Sequence, residues 1–205
     1  QFIAAKRRKH AAAGFAVSES RPWLMDFQRA LVAKTVERGR CALFASTGLG
    51  KTRMQLAWAD EVARHTGGRV LILAPLAVAQ QTEREAHSLG LARVKSCRTA
   101  AQMDGAHIVV TNYERLHHFD VRDFAGVVLD ESSCIKDFSA RTTGQMTEAF
   151  SNHRFRLCAT ATPAPNDFME LGTHAEFLGV CTRAQMLAEY FIHDGGDTAK
   201  WRLTG

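Results

Sequence analysis

The 205-residue chain is 46% hydrophobic and 23% charged, which fits one globular domain with a buried core of its own. No apolar run approaches the roughly 20 residues of a membrane-spanning helix, and the basic N-terminal stretch is not followed by the long apolar core of a secretory signal. The five cysteines (Cys41, Cys97, Cys134, Cys158 and Cys181) are odd in number and form no C-x-x-C pair, which argues against a disulfide framework or zinc site and for a reducing, cytoplasmic setting without a membrane partner.

Net charge is +5, and "KRRK" at residues 6–9 supplies +4 of it, leaving +1 for all other residues. Overall basicity is therefore weak evidence for nucleic acid. Residues 1–20 show little periodicity and read as a basic leader, either a solvated tail or an arm that touches phosphates. From 24 to 38, "LMDFQRALVAKTVER" places Leu24, Phe27, Leu31 and Val32 near helical spacing, predicting an amphipathic helix. "CALFA" (41–45) is a short buried strand, with Cys41 expected in the core, as is Cys158 further on. "KTRMQLAWADEVARH" (51–65) sets Met54, Trp58 and Val62 on one helix face, and Gly67-Gly68 ends it.

"VLILA" (70–74) is continuously apolar, as strands covered on both faces tend to be. A helix over about 77–89, strands "HIVVT" (107–111) and "GVVLDE" (126–131), a helix over 141–150 and the strand "FRLCAT" (155–160) continue the alternation. Repeated strand–helix units predict an α/β fold with a mainly parallel sheet and helices on both faces. The pattern weakens after about 180, and "HDGGDTAKWRLTG" reads as loop. The expected organisation is a leader (1–20), one lobe (21–180) and a tail or linker (181–205).

Binding sites in such sheets lie at the carboxyl ends of the strands, and "STGLGKT", "TNYE", "DESS" and "TATP" each directly follow an apolar strand run. The first approximates the P-loop pattern G-x-x-x-x-G-K-[ST], with Ala45 in place of the first glycine. Gly48 and Gly50 let backbone N–H groups turn around phosphate oxygens, beside the positive end of a helix. Lys51 would reach the β and γ phosphates of ATP, and the Thr52 hydroxyl would ligate Mg²⁺. The alternative is a glycine-rich turn with a surface lysine. Asp130 ends a buried strand about 80 residues later, where it can hold Mg²⁺ through water. Adjacent Glu131 can position and deprotonate the attacking water. Otherwise the pair is a helix cap.

"TGLGKT" (47–52), "LAPLAVAQQTEREA" (73–86), "TNYERL" (111–116), "LDESSCIKD" (129–137) and "CATATPAPND" (158–167) resemble, in order and spacing, motifs I, Ia, Ib, II and III of superfamily 2 helicases over about residues 22–180. The likeness is nearest to Swi/Snf-type DNA translocases, especially phage and prophage members. It implies a RecA-like P-loop NTPase lobe that uses ATP and Mg²⁺ and moves on DNA. The nucleotide would be held by Thr47, Gly48, Leu49, Gly50, Lys51 and Thr52. "WLMDFQ" (23–28) resembles the Q motif, which gives Gln28 the adenine edge; the alternative is an exposed polar residue on the first helix. Phe15 is a candidate to stack on the base. Thr160 resembles the motif III residue that couples nucleotide state to nucleic acid. Pro75, Leu76, Gln80, Thr111 and Asn112 lie where the family contacts one strand's backbone, here expected to belong to duplex DNA.

Two departures stand out. Ser46 occupies the region where Snf-type members have an acid, and "DESS" replaces "DEAD" or "DEAH", which places the link from motif II to motif III in doubt. Ser132 and Ser133 retain hydroxyls that can donate. Nothing after residue 180 resembles motifs IV to VI, so the second lobe with its arginine fingers is expected to be missing, leaving a poor ATPase. Two rival readings are a motor subunit of a restriction or defence complex and a nucleotide-sensing module that does not hydrolyse. The histidines show no metal spacing, and Trp23, Trp58 and Trp201 read as packing residues.

Overall fold

Four apolar runs, in β2 (Arg69–Ala74), β4 (Ile108–Asn112), β5 (Phe124–Asp130) and β6 (Phe155–Thr160), are buried almost end to end. Strands covered on both faces lack the alternation of half-exposed ones. In the computed structural model, which describes residues 12–18, 21–137, 140–193 and 201–203, they form the centre of a six-stranded sheet. β1 (Arg40–Phe44) and β3 (Val94–Ser96) close its two edges, in the order β1-β6-β5-β2-β4-β3. Every pairing is parallel, as strand–helix alternation requires.

Successive strand residues point to opposite faces, and the core divides accordingly. Val70, Ile72, Val110, Val128 and Leu157 pack under α1 (Asp26–Arg38), α2 (Lys51–Thr66) and α3 (Ala79–Ser88). Leu71, Leu73, Val109, Val127 and Leu129 face the other way, toward Met146 and Phe150 near α4 (Ala140–Ala149) and Phe177 of α5 (Leu171–Phe177). Met54, Trp58 and Val62 of α2 are all fully buried, as their spacing predicts.

α1 departs from its expected face. Phe27 and Leu31 are 42% and 37% exposed, while Gln28, Val32, Thr35 and Val36 are buried. The buried positions follow the i, i+4, i+7, i+8 stripe. Gln28 joins that stripe because its amide bonds Leu49 across the helix pair. Cys158 is fully buried as expected, but Cys41 is only partly so because β1 is an edge strand.

β3 was not expected; at three residues it offers almost no pattern. Packing also continues past residue 180. The backbone of Gly172 in α5 lies against Arg183 and Met186 of α6 (Arg183–Tyr190), and Met186 and Phe191 are buried. β8 (Trp201–Leu203), inside the stretch read as loop, pairs antiparallel with β7 (Phe191–His193) just before it. The basic segment 6–9 lies outside the described residues.

Phe15 is not at the carboxyl edge of the sheet. It stacks on His65 with ring centroids 3.7 Å apart and planes 6° from parallel, and meets Phe155 edge-on. His65 lies 14 residues beyond Lys51 on α2, about 21 Å along the helix at 1.5 Å per residue. Gly14 sets this placement: its N–H donates to Glu37 O, and a Cβ there would sit 1.7 Å from Val36 O. Base stacking by Phe15 is therefore corrected to packing at the far end of the domain.

α2 crosses β5 at Gly126, where an added Cβ would lie 3.0 Å from Phe155 Cβ and 3.2 Å from Val62 Cγ1. Neither neighbour is a flexible chain end. Gly126→Val is therefore expected to destabilise the fold by about 1–3 kcal/mol, measured as a lower denaturation midpoint with an unchanged slope.

Candidate nucleotide site and adjoining groove

The turn between β1 and α2 carries Gly48 at φ 86° and Gly50 at φ 76°, both in the left-handed region that favours glycine. Gly50 caps α2 with no side-chain hydrogen bond, and no acid lies in the first helical turn. The first N–H groups and the positive helix end thus face an anion uncompensated. Ala45 has no positive φ; it is buried and its N–H donates to Thr160 O. No glycine is needed at that position, which accounts for the first departure from the P-loop pattern. Ser46 is exposed, and its carbonyl accepts from Leu49 N.

Gln28 is 3% exposed, not a surface residue. Its Oε1 accepts from Met25 N at 3.0 Å and its Nε2 donates to Leu49 O at 2.9 Å. The amide is thereby fixed against the glycine-rich turn: a Cβ on Gly50 would lie 2.4 Å from Gln28 Nε2. Thr47, Gly48 and Leu49 are exposed on the loop, while Lys51 and Thr52 open α2.

Asp130 ends β5 beneath this turn. It is 6% exposed, and its Oδ1 accepts from Gln55 Nε2 at 2.6 Å and Glu131 N at 3.0 Å. Burial pushes its carboxyl above the usual range; the Gln55 hydrogen bond opposes this. Lys51 Nζ lies 3.7 Å from Glu131 Oε1. Glu131 has φ 46°, the one positive φ outside glycine among the described residues. Strained backbone of this kind persists where the surroundings over-determine it, often at functional sites. The buried Asp130 carboxylate and the Thr52 hydroxyl at the helix start are oxygen donors of the kind Mg²⁺ takes. The residues thus fit the Mg²⁺-nucleotide that the turn implies.

Thr160, fully buried at the end of β6, joins the third segment. Its Oγ1 is 3.3 Å from Glu131 Oε2 and 3.2 Å from Ser133 Oγ, and it accepts from Thr162 N. "DESS" therefore keeps a link between the motif II and motif III segments, through the second serine and the glutamate. Ser132 turns the other way, 2.9 Å from buried His174 Nε2. Burial holds the His174 pKa below its ordinary value.

Sequence reading missed two supports. Gln55 is one turn after Lys51 on α2, so the i, i+4 relation was the available signal. Tyr113, inside "TNYE", donates its hydroxyl to Asp130 O at 2.7 Å. The side chain is partly buried, and desolvation of its hydroxyl pushes the pKa well up.

A groove of about 520 Å³ adjoins the site at the ends of β2, β4 and β3. Leu76, Gln80, Thr111 and Asn112 line it; Pro75 sits just outside. Thr111 is buried with its hydroxyl unpartnered, and Asn112 Oδ1 accepts from Arg115 N, so these two form the floor. Arg84, Arg98 and Arg115 add positive charge that the reading did not assign. Arg98 follows β3, the strand that was not foreseen.

The raised Asp130 pKa has a consequence for stability. The folded chain binds this proton more tightly than the unfolded chain, so Asp130 destabilises the fold as pH rises through the interval between the two pKa values, and the loss persists above it. Asp130→Asn is expected to raise Tm at pH 7.5 in chelator without nucleotide. The gain should vanish on acidification below the ordinary carboxylate range, as measured by calorimetry across pH.

The DEAD/DEAH box helicase model matches residues 25–171. No curated protein gives a significant match. Among solved structures, the UvsW helicase from bacteriophage T4 superposes with a TM-score of 0.64 at 15% identity, covering 86% of this chain and 64% of that one. The Sulfolobus solfataricus SWI2/SNF2 ATPase core, solved with double-stranded DNA, gives 0.65 at 18% identity, covering 87% and 40%. The Pyrococcus furiosus Hef helicase domain gives 0.61 at 18% identity, covering 75% and 36%. At these identities the neighbours speak for the fold, and the chain spans less than two thirds of each. With its RecA-like parallel sheet and a family match running from the first helix through the motif III segment, the chain belongs to the DEAD/DEAH box helicases.

Proposed function

We propose that this chain is the ATP-binding lobe of an ATP-dependent DNA motor, a helicase or translocase, that couples hydrolysis to movement along DNA. The observation that carries the reading is the convergence of three segments on one spot: Lys51 on Glu131, Gln55 on Asp130, and Thr160 on both Glu131 and Ser133. Bound Mg²⁺-ATP supplies the phosphoryl chemistry. Thr47, Gly48, Leu49 and Gly50 wrap the phosphates with backbone N–H groups, and Lys51 leaves Glu131 for them. Thr52 and Asp130 would hold the metal, and Gln28 would meet the adenine edge. Glu131, released from the lysine, orients the water and accepts its proton. Thr160 senses that change through its hydroxyl.

The groove beside the site is the proposed DNA track. Leu76, Gln80 and the backbone around Pro75, Thr111 and Asn112 take one strand of a duplex by its phosphates, assisted by Arg84, Arg98 and Arg115. Large apolar side chains rim the same edge in the open: Phe44, Leu49, Leu76 and Phe168. That rim fits the docking face of a second RecA-like lobe, which would bring the arginine finger. The lobe alone is accordingly a weak ATPase. No helix among the described residues is long and apolar enough to cross a membrane, and the cytoplasm of a bacterium or phage-infected cell is the proposed setting.

The test is ATP hydrolysis by the two-lobed parent protein, with and without double-stranded DNA. Duplex DNA is expected to stimulate turnover. Glu131→Gln should cut it by about 10²–10⁴-fold while ATP still binds, and Lys51→Ala should remove binding. ATP binding with no stimulation by any nucleic acid would sink the motor and leave a nucleotide sensor.

A further inference from the structure

Cations gather at the opposite end of the sheet without an acid among them. Arg40 opens β1 and Arg156 lies near the start of β6, and the two are direct partners in the parallel register. Arg156 is 2% exposed. Its Nη1 donates to Phe177 O, but its Nε has no hydrogen-bond partner. Burial, then the neighbouring Arg40, lowers its pKa to about 10. The two guanidinium groups flank Gly179, where a Cβ would lie 2.9 Å from Arg156 Nη2 and 3.1 Å from Arg40 Nη1. A pocket of about 300 Å³ opens here, lined by Arg40, Gly179, Lys34 and Arg38 with Ala42 and Leu178 as its apolar wall. Among the described residues, none of these four cations forms an ion pair with a carboxylate.

Like charges side by side on neighbouring strands repel, and a buried cation needs a counter-charge or a full set of acceptors. Arg156 has neither. Guanidinium forks match the oxygens of phosphate and carboxylate, and a dianion neutralises more of a four-cation cluster than a monoanion does. We propose that this pocket binds a phosphate group, held by Arg40, Lys34 and Arg38 beside Gly179, over the buried Arg156 whose positive charge adds to theirs. The site is separate from the glycine-rich turn. That turn follows the carboxyl end of β1, about 17 Å away along five strand residues. The inference therefore does not depend on the proposed motor. Two sources offer phosphate oxygens to such a cluster: free phosphate, largely a dianion, and the phosphodiesters of DNA, with one charge each.

The experiment is a thermal melt of the 205-residue chain carrying Lys51→Ala, which disables the phosphate turn. Inorganic phosphate is titrated against chloride at constant ionic strength. The expected result is a saturable rise in Tm, with Arg40→Gln raising the apparent Kd by roughly ten- to hundredfold. Arg40 is partly exposed, so this variant is expected to fold even if Arg156→Met does not. A short DNA duplex forms the second arm. Weaker duplex binding in Arg40→Gln, relieved by competing phosphate in the parent, assigns the phosphate to DNA; unchanged duplex binding assigns it to the free ion. The proposal is overturned by a non-saturating response, by loss of the response on Lys51→Ala alone, by an equal response in Arg40→Gln, or by an equal response to acetate.

Discussion

Asp130 brings a carboxylate to the end of a strand buried on both faces, and two other segments and its own neighbour close around it. Gln55 from α2 and the backbone of Glu131 bond its side chain, and Tyr113 from the turn after β4 bonds its carbonyl. A buried charge with too few partners costs free energy, so the position of Asp130 constrains everything near it. α2 must cross the sheet closely enough for Gln55 to reach, which Gly126 permits. The glycine-rich turn must then start above Asp130, because Lys51 lies one helical turn before Gln55. The geometry of the turn is in this sense a consequence of how a carboxylate is kept in a nearly apolar sheet.

The same edge holds Glu131 in an uncommon backbone conformation. Glu131 sits at a positive φ, and its carboxylate is shared between Lys51 and Thr160. The Lys51 pair is long, at 3.7 Å, and the Glu131 side chain is 42% exposed, so the attraction is weakened by solvent. A lysine held by a weak partner exchanges readily for a triphosphate, which offers more charge at closer range. Thr160 has one proton and two oxygens within reach. A shift of Glu131 toward water would hand that proton to Ser133 without breaking the buried hydroxyl's bonding. A serine in place of the usual motif II residue can thus keep the connection that its identity seemed to lose.

What was legible in the sequence followed from strong local signals. Continuous apolar runs announced β2, β4, β5 and β6, and each polar cluster behind them marked a strand end. The placement of Gly48, Gly50, Lys51, Asp130 and Glu131 at the carboxyl edge of the sheet was readable because each lies at or just past the end of an apolar strand run. Less legible were features set by tertiary contact. Gln28 resembles a surface glutamine until its amide is seen bonding Leu49 O. Phe27 and Leu31 are the larger apolar residues of α1, yet the helix turns Thr35 and Val36 inward instead. Phe15 follows a glycine whose fit against Val36 O, visible only in three dimensions, fixes it at the wrong end for a base. Three-residue β3 is too short to carry a period, and with it went Arg98.

The two ends of β1 place their charge in opposite ways. At the carboxyl end, Lys51 has Glu131 and Asp130 has Gln55, each partnered from another segment. At the amino end, Arg40 and Arg156 pair in register beside Gly179, with Arg156 bonded to the Phe177 carbonyl and its Nε unpartnered. An inert fold gains nothing from that arrangement. A methionine or leucine at 156 would pack against Phe177 without desolvating a guanidinium, and replacing buried charge by apolar volume is often neutral or stabilising. Two arginines in register beside Gly179 fit a phosphate in the adjoining pocket, and an anion would then lie at each end of β1, with the strand between as a rigid spacer.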